Sequence, residues 1–100
     1  MHALRDAWLG KAIEHHRRGS LDQAADCYER ALVGQTPFPA AQQAQFQSNY
    51  GAVLQALGRH AKALKAYDAA IAAQAGYAQA HNNRGVLLGL LGRHQDALES

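Results

Sequence analysis

The sequence predicts an all-α fold, a solenoid of antiparallel helix pairs with about two and a half units. Three observations predict it. The stretch Leu57–Leu64, "LGRHAKAL", returns 34 residues later as Leu91–Leu98, "LGRHQDAL", with six of eight residues unchanged. Apolar residues recur at intervals of three and four, as in Leu54, Leu57, Ala61 and Leu64, and strict alternation is absent. Finally, the chain is 48% apolar but only 7% aromatic, and Ala dominates. Small side chains let helices approach closely, whereas strands favour branched and aromatic residues.

The period extends beyond the opening pair. Asn49-Tyr50-Gly51 returns as Asn83-Arg84-Gly85, Leu54 as Leu88, and Ala63-Leu64 as Ala97-Leu98. A diverged copy lies upstream: Gly19, Ala24, Tyr28 and Ala31-Leu32 are spaced like Gly58, Ala63, Tyr67 and Ala70-Ile71. The units are expected near 5–38, 44–77 and, incomplete, 78–100, with an insertion near 35–43. Together they form one domain.

Each element has its own local warrant. A first helix over 3–18 ends at Gly19, because a left-handed closing residue carries no steric penalty without a Cβ. Ser20 is expected to cap a second helix over 21–34, with Gln23 completing a capping box. The insertion, "GQTPFPAAQQ", contains Thr36-Pro37, which can cap and start a helix. The Ala/Gln run after Pro39 can lengthen the third helix, 39–57, by about one turn. Gly58 then separates it from a fourth over 60–74, and Gly92 is expected to break a fifth (78–91) from a short sixth (94–100).

These residues resemble the tetratricopeptide repeat, a helix–turn–helix unit with W-x2-L-G-x2-Y, then A-x3-F, then often Pro. Trp8, Ala24 and Tyr28 carry the pattern in the first unit, which departs at Lys11, Ala12 and His15. Gly51, Leu54, Ala63, Tyr67 and Ala70 carry it in the second, with Gln47 replacing the aromatic. His81, Arg84, Gly85, Leu88 and Ala97 mark the third, and Ala75 stands where the family's Pro would close the second. Pentatricopeptide arrays have a similar length, but this Gly/Ala pattern fits them less well. The resemblance implies a right-handed superhelix whose concave side is lined by the first helix of each pair.

Little in the chain points to chemistry. Cys27 is the only cysteine, so an internal disulfide is impossible, and it reads as a small structural residue. The six histidines lack the i, i+4 spacing with a neighbouring acid that zinc hydrolases use; His15 and His16 project about 100° apart on a helix. His60 and His94 occupy equivalent stations beside the turns. Asp22, Asp26 and Glu29 share a helix face near Arg30, and no phosphate-cradling loop follows a strand. The expectation is a non-catalytic chain with no metal and no cofactor.

Net charge is +2 with signs interspersed, and Arg17-Arg18 is the only basic doublet, so neither nucleic acid nor a membrane surface is expected as partner. No apolar run reaches the ~20 residues of a membrane span, and the start lacks a signal-like apolar core. A cytoplasmic location is the expectation.

The expected partner is a protein or peptide segment. Asn49 and Asn83 are repeat-equivalent and lie on the side that the resemblance assigns to the groove. A side-chain amide offers donor and acceptor together, so it can pair with a peptide backbone of any sequence. The two resemble rungs of the asparagine ladder in O-linked N-acetylglucosamine transferase repeats; Gly10 takes the equivalent place in the first unit. Gln45, Gln79, Ser48 and Asn82 are expected to add polar groups. The family's two-carboxylate clamp is matched only at Asn49, since Leu9, Ile13, Gln79 and Asn83 stand at its other positions. A fragment of a larger scaffold is the expected setting; the alternative is the substrate-recognition domain of a multidomain enzyme such as a glycosyltransferase. Leu87, Leu91 and Leu98 are expected to lie partly uncovered on the last pair and to promote self-association.

Overall fold

The computed structural model describes the backbone of residues 3–33 and 38–99, with side chains described over 4–33 and 38–92. Among the described residues there are five helices and no strand: α1 (Ala3–Arg17), α2 (Leu21–Leu32), α3 (Ala40–Ala56), α4 (His60–Ala73) and α5 (Ala78–Glu99). Helices α1 and α2 form one antiparallel pair, α3 and α4 a second, and α5 packs on α4 and α3.

The two turns within pairs are copies of one another. Gly19 and Gly58 adopt φ of 79° and 78°, the left-handed region that glycine enters without Cβ strain. In the first turn Gly19 N–H donates to His16 O (3.1 Å) and Ser20 N–H to His15 O (2.9 Å). In the second, Gly58 N–H donates to Gln55 O (3.0 Å) and Arg59 N–H to Leu54 O (2.8 Å). This is the Schellman closure, which satisfies the orphan carbonyls at a helix end.

The capping box expected at Ser20 does not form. Ser20 stands at the N-cap, but its hydroxyl makes no capping hydrogen bond. Its backbone is occupied in closing α1, and its ψ of 72° departs from the extended value that aims a serine hydroxyl at the helix N–H groups. Arg59, with ψ of 68°, has the same geometry.

Closing each turn brings a tyrosine down onto the preceding helix. Tyr28 and Tyr67 are buried with Ala12, Ala24, Val53, Leu54 and Ala63 in one continuous core. Burial of a large side chain contributes about 1.5–3 kcal/mol. Tyr67 requires Gly51: a Cβ there would lie 2.5 Å from Tyr67 Cε1. The Tyr67 hydroxyl, passing this point, donates to Gln55 Oε1 at 2.8 Å. Pairs are joined by Tyr28 against Tyr50 (centroids 6.3 Å apart) and by Arg59 to Asp22 (2.7 Å). A smaller cluster of Ala44, Ala70 and Ala80 seats α5, and Arg84 reaches Asp68 on α4 at 2.7 Å.

The expected break at Gly92 is absent. Helix α5 runs unbroken from Ala78 to Glu99, so the separate helices over 78–91 and 94–100 are corrected to one of 22 residues. A break forfeits backbone hydrogen bonds worth about 0.5–1.5 kcal/mol each, and the returning helix must offset them by burial. In the first two units a buried tyrosine does so, whereas in the third a Cβ at Gly85, the counterpart of Gly51, would meet nothing within 4 Å.

Of the leucines expected to lie partly uncovered, Leu87 is a correction: it is fully buried in the main core. Leu91 is partly exposed while packing against that core. Leu98 lies outside the described side chains. Among the described residues of α5, the large apolar side chains that are exposed are Val86, Leu88 and Leu90.

Thr36-Pro37 lies outside the described residues. Past it, Phe38 N–H donates to Gln43 Oε1 (3.1 Å), and α3 starts at Ala40 after Pro39 (φ −51°, ψ 151°). Helix α3 begins nine residues before Asn49 and α5 five before Asn83, so the Ala/Gln run adds about one turn. Buried Phe38 meets Phe46 edge-on at 4.8 Å and lies beneath the Arg5 guanidinium.

Candidate functional site

The first helices of the two pairs, α1 and α3, border an open cleft of about 450 Å³. Ile13, His16 and Arg17 approach it from α1, and Gln45, Phe46 and Asn49 from α3. Tyr28 of α2 completes it. The helical period explains the selection. Ile13 and Arg17 are four apart, as are Gln45 and Asn49, so each pair stacks on one helix face.

Tyr28 organises the cleft. Its ring is fully buried and meets His16 edge-on at 6.3 Å. Burial raises the phenol above its ordinary value, and a hydrogen bond with the Asn49 side chain acts in the opposite direction. The phenol is therefore neutral near pH 7. Asn49 lines the cleft beside it, and its amide offers both donor and acceptor to a ligand. Arg17 lies 3.5 Å from Glu14, whose other oxygen is held more closely by Arg18 at 2.9 Å.

Of the residues foreseen as a groove, the structure brings Asn49 and Gln45 together here. Asn83, Asn82 and Gln79 lie on α5 and do not line this cleft; Asn83 is half-buried and the other two are exposed. The Gln79 side-chain oxygen accepts from the Tyr77 hydroxyl at 3.2 Å. Ser48 is a correction. It is 0% exposed, with no hydrogen-bond partner for its hydroxyl among the described residues, so it cannot contribute to a groove surface. The reason is its register: Ala44, Ser48, Gly51 and Gln55 form one stripe of α3, and Gly51 and Gln55 on that stripe meet Tyr67 of α4.

The apolar lining, Ile13, Phe46 and Tyr28, was not foreseen. Its signal was present in the register: 39 residues separate equivalent positions of the first two units and 34 the next two, so Ile13, Ala52 and Val86 correspond. Ile13 and Val86 are both exposed, as positions along a groove should be.

Other reactive groups are placed away from the cleft or inertly. Cys27 is buried in the core, and burial, with Asp26 beside it, pushes its thiol up. His60 Nδ1 is buried without a partner among the described residues, and the His94 side chain lies outside those described. Asp26 pairs with Arg30 at 3.1 Å. Among the described residues no three His, Cys, Asp or Glu side chains gather as metal ligands. No described helix is long and apolar enough to cross a membrane.

A glycine-closed helix pair, repeated with equivalent tyrosines on small residues, is the architecture that the sequence resemblance implied. The tetratricopeptide repeat family model matches residues 51–100, half of the chain. The chain belongs to the tetratricopeptide repeat family. No curated protein has significant similarity to it. The match covers α4, α5 and only the last six residues of α3, so Asn49 lies just before its start at Gly51. Tetratricopeptide repeats are in general protein–protein interaction modules and are typically non-catalytic.

Proposed function

We propose that this domain binds an extended segment of a partner protein along the side formed by α1, α3 and α5. The single observation that carries the reading is the cleft between α1 and α3, in which the Asn49 side chain stands beside Ile13, Phe46 and Tyr28. Gln45 stands one turn from Asn49, and Asn83, Asn82 and Gln79 continue the polar surface onto α5. The pairing of Asn49 with Asn83 is similar to the asparagine ladder of O-linked N-acetylglucosamine transferase repeats. The setting that best suits such a module is a larger scaffold.

Affinity has to come from more than amides. Four neutral hydrogen bonds supply roughly 2–6 kcal/mol net, against about 4–15 kcal/mol for association. The apolar lining of the cleft supplies part of the balance. Self-association belongs to the same proposal: Leu88 is 41% exposed while its counterpart Leu54 is 1% exposed, and a second copy can cover it. A concentration-independent monomeric mass contradicts that part.

The test is Asn49→Ala and Asn83→Ala, assayed against a partner captured by the intact protein. Affinity is expected to fall about fivefold or more for each, from the loss of one or two hydrogen bonds, with helicity unchanged. Full affinity in both variants contradicts the proposal.

A further inference from the structure

We infer that the cleft between α1 and α3 selects an extended segment carrying a large apolar side chain next to an acidic one. The inference rests on the peptide-binding reading above and adds a sequence preference to it. Two observations carry it.

The first is the composition of the cleft. Its apolar surfaces come from Ile13, Phe46 and Tyr28, and its volume of about 450 Å³ is large enough for one bulky side chain. Phe46 is held by its edge contact with buried Phe38, and Tyr28 by full burial in the core, so two of the three apolar walls are fixed before a ligand arrives. Rigid walls spare a ligand the ordering cost of shaping its own site. Asn49 lines the same cleft, within reach of the backbone of the residue whose side chain enters.

The second is the charge at its rim. Among the described residues Arg17 is the lining residue with a permanent charge, and no carboxylate lines the cleft. Arg17 is 78% exposed and only loosely tied to Glu14, which Arg18 holds more tightly. A guanidinium in that position has donors to spare for a ligand carboxylate. Asp26 and Glu29, the acids nearest in sequence to Tyr28, are exposed residues of α2 that border a different surface depression, with Arg30 and Val33.

The test is a two-dimensional NMR titration of the full chain with four capped pentapeptides: Ser-Asp-Leu-Asp-Ser, Ser-Asn-Leu-Asn-Ser, Ser-Lys-Leu-Lys-Ser and Ser-Asp-Ala-Asp-Ser. Their symmetry makes the result independent of binding direction. The first is expected to shift resonances of Ile13, Phe46 and Asn49 and to bind about tenfold more tightly than the alanine peptide. It should bind several-fold more tightly than the asparagine peptide, with the lysine peptide weakest. Arg17→Glu, at an exposed helix end, should invert the order of the aspartate and lysine peptides. Equal shifts at these residues by all four peptides overturn the preference and leave the groove itself standing. Absence of shifts there with every peptide overturns both readings.

Discussion

Two octets of this molecule have nearly the same letters and different structures. Leu57–Leu64 contains a left-handed glycine and a reversal of the chain, while Leu91–Leu98 lies inside one continuous helix. The local signals are equal, since Gly58 and Gly92 are each followed by Arg-His and preceded by Leu. What differs is the remainder of the unit. After Gly58 comes Tyr67, whose ring seats against Gly51 and whose hydroxyl reaches Gln55. In the third unit no described ring is seated this way: a Cβ at Gly85, the counterpart of Gly51, meets nothing within 4 Å. The glycine permits a turn; the buried ring makes it favourable.

The largest effect should come from removing that ring. Tyr67→Ala deletes the anchor of the second pair and is expected to lower stability by about 3–5 kcal/mol in urea unfolding, as for other large buried aromatics. A loss below about 1 kcal/mol would show that the turn is held by its own backbone bonds. Next in size is the contrast between Gly51→Leu and Gly85→Leu. The first forces a side chain into Tyr67 and should cost about 1–3 kcal/mol or more, while the second enters open space and should be near neutral. Equal losses at both sites would mean that the third unit closes in solution as the second does.

Smaller effects sharpen the comparison further. Ser48→Ala removes a buried hydroxyl that has no partner, and a gain of about 1 kcal/mol is expected from the desolvation relieved. A loss of stability would reveal a hydrogen bond to Ser48. The pH dependence follows from burial of Tyr28, Tyr50 and Tyr67, each of which raises the phenol's pKa. Because the folded values lie above the unfolded value of about 10, these rings contribute stability that is complete below that pH and declines as pH rises above it. Thermal unfolding between pH 9 and 11 should show this decline, and Tyr67→Phe should reduce it.

Much of the fold was legible because period and turn chemistry agree in the first two units. The positions of Gly19, Gly58, Ala63 and Tyr67 were enough to place four helices and their reversals. The third unit misled because a turn motif states what is allowed and carries no information about missing burial. Ser20 misled in another way: a good capping residue was already committed to closing the helix before it. In the candidate site, Asn49 and Gln45 were readable from the repeat register. Ser48 was misassigned because neighbouring helix positions differ by about 100° in direction. The apolar partners of Asn49 were harder to read, since the cleft joins Ile13 and Phe46 across two helices and the five-residue insertion shifts the register between them.

The most direct measurement is one substitution made in each octet: Gly58→Ala and Gly92→Ala, compared by equilibrium urea unfolding. Gly58 has a positive φ, so alanine there should destabilise by about 1–2 kcal/mol. Gly92 lies within α5 with open space around it, so alanine there should stabilise the helix, by about 0.5–1 kcal/mol at most. Opposite signs are the predicted result. Destabilisation of similar size at both positions would place a left-handed turn at Gly92 and contradict the claim that burial, not the local letters, decides where this chain reverses.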